Sequence, residues 1–238
     1  MGFLRKLHRL YRMKFHNKWL ITFLSAITIS FNNKANAQVE ANKEGVFLYT
    51  GVSMDIPNNN KFVFYYSYSP SDNFQSLVAL PFLKINKNIQ FMPGYMMTKA
   101  DEYPMFTNVQ HHIMPSVILN FKLSEKFTLA DRNMWYHLFR EDAKDVNLYR
   151  NRLGLTYHTK LLNKLTDVFV YNEVFNNLSN GKFFRNRIIF GGSIKATKWV
   201  TPQIWYAYQT EKSISAQHQF YLILTVSLEN LGVFKKKK

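Results

Sequence analysis

Arg150, Arg152, Glu173, Arg185 and Arg187 are the charged residues whose spacing could do chemistry. Residues two apart in an extended chain point to the same face. Arg150, Arg152, Gly154, Thr156 and His158 therefore share one face of a segment whose other face holds Tyr149, Asn151, Leu153, Leu155 and Tyr157. A later segment repeats the arrangement, with Arg185, Arg187, Gly191, Ser193 and Lys195 set against Phe184, Ile188, Phe190, Gly192 and Ile194. Between them, Val168 to Phe175 puts Glu173 opposite Val168, Val170 and Val174. Directly opposed residues on neighbouring strands lie about 5 Å apart, so Glu173 can sit between arginines of both neighbours. An Arg–Glu–Arg ladder of charge-assisted bonds would either fill a narrow interior or form a basic constriction that favours anions.

Other reactive types are arranged less productively. His112 and Ser116 share a face by parity, as do Asn120 and Lys122, but four residues along a strand span about 13 Å. A nucleophile and its base must approach within about 3 Å. His111 and His112 point to opposite faces and cannot ligate one ion without a bulge. His218 falls on the apolar face near a strand end, which suits an interfacial role. The chain has no cysteine, which removes disulfides, thiolate metal sites and a Cys nucleophile. No catalytic residue, metal site or cofactor is expected.

The elements that must position the ladder are strands of about ten residues or more, separated by turn signals. Eleven such segments run from Gly45 to Leu228, and short turns alternate with longer connections such as Lys99 to Pro104 and Arg140 to Asp145. The last segment places Phe220, Leu222, Leu224, Val226 and Leu228 on one face and Gln217, Gln219, Tyr221, Thr225 and Ser227 on the other. For a long sheet with one greasy and one charged face, either the apolar face is a protein core or it meets lipid around a polar lumen. Aromatics are 16% of the chain, and Tyr149, Tyr157, Tyr171, Trp199, Tyr206 and Tyr208 fall near segment ends, as interfacial girdles require. The expectation is an all-β fold: a closed antiparallel up-and-down transmembrane β-barrel of 10–12 strands, following a cleaved signal peptide. Bacterial single-chain barrels have even strand numbers, so 10 or 12 is expected over 11. Pro81, Pro93, Pro115 and Pro202 lie inside strand-like segments and should mark bulges or strand ends.

Residues 1–37 hold seven Lys or Arg and no acid, and they contain an apolar run from Trp19 to Ile29 and end in Ala35-Asn36-Ala37. This reads as a signal peptide cleaved after Ala37, with Met1 or Met13 as the start. Residues 38–231 then form the barrel and 232–238 a basic tail ending in Lys235 to Lys238. Removing the leader lowers the formal charge from +16 to +9, and four of those charges are the terminal lysines. The basic balance therefore belongs to the ends, and no element that reads nucleic acid accompanies it.

Tyr149-Arg150-Asn151-Arg152, Tyr171-Asn172-Glu173-Val174-Phe175, Arg185-Asn186-Arg187-Ile188 with Gly191, and His218 opening the last strand together resemble the DUF2490 family. That resemblance is best over residues 145–228 and implies a Bacteroidetes-type predicted outer-membrane β-barrel of unestablished function. The chain departs from the family pattern at His111-His112-Ile113-Met114-Pro115 and around Asp131 to His137, where Arg132 is retained. The partners implied are outer-membrane lipid and lipopolysaccharide, the barrel assembly machinery, and small solutes of unknown identity. Three functions follow: a structural or narrow pore for small polar or anionic solutes, a lipid-modifying barrel enzyme, or a soluble periplasmic lipocalin-like binder.

Overall fold

The computed structural model describes residues 44–71, 73–100, 109–140, 144–211 and 214–229. The leader read at 1–37 and the tail at 232–238 lie outside them. Among the described residues are β1 (Glu44–Ile56), β2 (Asn60–Ser69), β3 (Phe74–Lys84), β4 (Ile89–Ala100), β5 (Val109–Lys122) and β6 (Phe127–Phe139). They continue as β7 (Val146–Leu161), β8 (Lys164–Asn177), β9 (Lys182–Ile194), β10 (Val200–Glu211) and β11 (Ile214–Ser227).

The strands close into a single barrel in which each pairs with its sequence neighbours and β1 pairs with β11. Ten pairings are antiparallel, but the closing one is parallel, running from Glu44↔His218 to Ser53↔Ser227. The expectation of an even number is therefore wrong among the described residues. An up-and-down meander of odd length brings its first and last strands together in the same direction, so closure is available only through a parallel ladder.

The alternation divides the wall as the sequence requires. Leu222 is 43% exposed and Phe190 is 53% exposed, while Gln219 and Thr225 are buried. A barrel of this size with an apolar exterior spans a bilayer, because closure satisfies the backbone groups that hydrocarbon cannot. Exposed Phe127 and Phe139 stand at the two ends of β6. Tyr171 is a correction to the girdle: it points inward and stacks on Phe169 at 4.7 Å between centroids.

Inward glycines make room for such rings. Gly51 pairs with Tyr65, Gly154 with Tyr171 and Gly191 with Phe169. A Cβ on Gly154 would lie 1.8 Å from Tyr171 Cδ1, and one on Gly191 would lie 2.5 Å from Phe169 Cε2. In each case an aromatic side chain lies flat over the neighbouring strand, which covers the exposed glycine backbone and fixes the register.

The prolines also correct the sequence expectation. The register shifts occur between Gln209 and Glu211 and between Phe175 and Asn176, not at a proline. Pro81 lies opposite Pro93 in a β3–β4 ladder that keeps its register on both sides of a gap, and Pro93 pairs with Pro115. Pro202 pairs with Leu224 without a shift. When two prolines face each other, the two missing N–H donors fall at one place in the ladder. A single interruption in the wall then replaces two scattered ones.

Two substitutions test these faces. Leu222→Arg should cost about 2–4 kcal/mol if the site lies near the bilayer midplane. Gly154→Val should destabilise by about 1–3 kcal/mol or more through overpacking against Tyr171. Denaturant titration in lipid vesicles, with heat-modifiable gel mobility as the marker of the folded barrel, measures both; unchanged midpoints would reverse these assignments.

Candidate functional site: the charged lumen

β7, β8 and β9 are consecutive, and their registers set the charged residues at one depth: Arg152 pairs with Glu173, and Glu173 pairs with Arg187. Arg150 lies two residues along the same face of β7, and β6 adds Arg132 directly opposite Arg152. All of these side chains point inward because the same alternation sends Leu153, Val170 and Ile188 outward.

Glu173 has no solvent exposure. Its Oε1 accepts from Arg150 Nη2 at 2.6 Å and from Arg152 Nε. Its Oε2 lies 3.5 Å from Arg187 Nη1, outside good hydrogen-bond geometry, and Arg132 Nη2 lies 3.9 Å from Oε1. One carboxylate is thus surrounded by four guanidiniums. Arg187 also donates to Gln209 Oε1 from Nε at 3.0 Å and from Nη2. Arg185 stands apart and pairs with Glu211 at 2.8 Å.

Aromatic rings complete the surroundings. The guanidinium of Arg150 sits 5.1 Å from the Phe175 ring centroid, with those of Arg185 and Arg187 at 5.4 and 5.5 Å. Arg152 lies 5.3 Å from Tyr171 and 5.5 Å from Trp205. Ring quadrupoles stabilise desolvated cations, and they do so without adding negative charge. Arg132, Arg150, Arg152, Arg185 and Arg187 face two carboxylates, Glu173 and Glu211, which leaves a net excess of three positive charges. Nε of Arg132 and Nε of Arg150 are buried without a hydrogen-bond partner. The cluster can accept further anionic oxygens.

The rest of the interior differs in kind. Val78, Met92, Met114, Ile118 and Met134 form an apolar cluster on the β3–β6 side, with Leu80, Phe82 and Met96 against it. Met92 is 0% exposed, so side chains fill this half of the barrel as well. His112 is buried and points inward, bonded through Nε2 to Thr98 Oγ1 at 2.7 Å and through Nδ1 to the Tyr136 hydroxyl. Ser116 Oγ donates to the Met114 carbonyl at 3.3 Å, so it is not aligned with His112. His111 faces the other way and bonds Tyr95 at 2.6 Å. His218 bonds Tyr206 at 2.7 Å on the outward face.

Residues 77–220 match the family model DUF2490, described as a protein of unknown function. The chain belongs to this family. Two solved structures are similar to the DUF2490 barrel. One is the NanC porin, 13% identical over 73% of this chain and 88% of that one, with a TM-score of 0.49. The other is the KdgM porin, 15% identical over 67% of this chain and 81% of that one, with a TM-score of 0.46. No curated protein matches the chain.

In this DUF2490 barrel the structure brings Arg150, Arg152 and Arg187 onto Glu173 and leaves Arg185 with Glu211. Sequence reasoning had not placed Gln209, Glu211 or the rings of Phe175, Tyr171 and Trp205 in this network. The alternation of Gln209 and Glu211 with outward Tyr208 and Thr210 was the available signal. Removing one partner of a buried ion pair leaves uncompensated charge and costs about 3–5 kcal/mol. Glu173→Ala should therefore lower the unfolding free energy by that order, whereas Lys122→Ala, which breaks an exposed pair with Glu125, should leave it nearly unchanged. Urea unfolding in vesicles checks the contrast.

Proposed function

We propose that the chain is an outer-membrane β-barrel, exported by its N-terminal leader, whose lumen is a narrow, normally closed constriction selective for small anions. The observation behind this reading is the charge imbalance at one depth of the lumen: four guanidiniums about a single fully buried carboxylate, two of them with an unspent Nε. Rings of Arg favour anionic solutes. An arriving carboxylate or phosphate oxygen would compete with Glu173 for the same donors, so the anion meets replacement partners at each step of passage. The surrounding bilayer lipid, lipopolysaccharide and the barrel assembly machinery are the partners this reading requires.

The interior supports a gate more than an open channel, since Glu173 and Met92 are both at 0% exposure. The reading is of a non-enzyme. Of the inward histidines, His112 is engaged by Thr98 and Tyr136, and the serine on its own strand donates to a main-chain carbonyl, while His158 is held by Thr128 and Asp167.

Planar-bilayer conductance of the refolded barrel tests the proposal, with wild type measured beside Glu173→Gln and Arg187→Ala. Discrete channels are expected, with anion preference reduced in Arg187→Ala and conductance raised in Glu173→Gln. Absence of conductance in all three, in samples that retain heat-modifiable mobility, would overturn it.

A further inference from the structure

The exterior of β6–β9 departs from the rest of the barrel. Around their midpoints, the outward residues of β1–β5, β10 and β11 are apolar or aromatic except Thr50 and His218, and His218 is bonded to Tyr206. At the same depth β6–β9 present Asp131, Asn133, Asn151, Asn172 and Asn186. Each lies next in sequence to an inward residue of the charged cluster, so alternation sends it outward. Asp131 stands two positions from the centre of β6, far from either rim.

These groups bond first to one another. Asn151 Nδ2 donates to Asp131 Oδ1 at 2.5 Å and to Asn133 Oδ1 at 3.2 Å, and Asn133 Nδ2 donates to Asp131 Oδ2 at 3.1 Å. The Tyr149 hydroxyl donates to Asn133 Oδ1. Asn172 Nδ2 donates to Asn186 Oδ1 at 3.2 Å. Among the described residues this leaves the Asn186 amide N–H groups without an acceptor and the Asn151 and Asn172 amide oxygens without a donor. Exposed Trp135, Leu153, Val170, Ile188 and Phe190 surround them.

Hydrocarbon offers nothing to an unspent amide, and an ionised carboxylate at mid-depth is costly. Such positions in membrane proteins face protein or a water-filled space, and polar side chains join elements that pack together. The unspent groups are complementary to themselves: donors on β9 and acceptors on β7 and β8. A two-fold axis through β8 would set β9 of one copy against β7 of the other, so Asn186 meets Asn151 twice while the Asn172 residues approach at the axis.

We propose that the outward face of β6–β9 is a membrane-embedded interface between two copies of this chain, with Asn172 near the two-fold axis. The sequence has no cysteine, so single-cysteine variants of the full chain report contacts directly. Val170→Cys, outward on β8 and two residues from Asn172, and Leu222→Cys on the β11 face are each refolded into vesicles at low protein-to-lipid ratio and oxidised.

A covalent dimer is expected from Val170→Cys, which lies near the axis, and not from Leu222→Cys. Adding Asn172→Leu and Asn186→Leu to Val170→Cys should lower its yield about tenfold, with heat-modifiable mobility retained because leucine suits a lipid-facing position. Equal dimer from both cysteines, or a yield indifferent to the leucines, would overturn the proposal. So would monomer alone in vesicles, even if Val170→Cys were captured by a different membrane protein in native membranes.

Discussion

A bilayer core supplies no hydrogen bonds, so every backbone N–H and C=O at that depth must find its partner within the protein. The rest of this structure depends on that constraint. It makes an open edge untenable, so eleven strands close even though closure requires a parallel ladder between β1 and β11. It also bears on where donors can be missing. Pro81 and Pro93 face each other across one gap, so the interruption stays local and the register on either side is kept.

Closure then forces a division of side chains. Alternation commits half of each strand to a cramped interior, and the interior must be filled. On one side methionines and aliphatic residues do this, and Met adapts well to an irregular space. On the other, rings lie over glycines and arginines gather at Glu173. A carboxylate with no solvent exposure is tolerable only because guanidiniums surround it, and the guanidiniums in turn are held by that carboxylate, by Gln209 and by aromatic faces. The imbalance of charge left over is what the proposed preference for anions rests on. The same alternation explains why the polar exterior patch sits where it does. A strand that carries Arg132, Arg152 or Glu173 inward carries Asp131, Asn151 or Asn172 outward.

Much of this was legible in the chain. Period-two alternation after residue 105 is clear, and the strand limits found there differ from the sequence reading by only a few residues. The ladder positions were accessible because arginines two apart must share a face, whatever the fold. Legibility failed where a decision depended on neighbours across the sheet. Tyr171 looked like a girdle residue, yet Gly154 on β7 opens an inward berth for its ring. The prolines looked like bulges, since the sequence does not show that three of them fall in register on adjacent strands. Arg185 belonged to the ladder by parity, but Glu211 on β10 lies closer to it than Glu173 does.

By itself the sequence determined the class of structure and which residues share a face, because alternation and turn chemistry are local and each strand obeys them alone. Tertiary structure decided the strand count that closes the wall, the partners within the lumen and the parallel seam. Those depend on register between strands distant in sequence, and register is a property of pairs. Four guanidiniums meet one carboxylate only after β6, β7, β8 and β9 lie side by side.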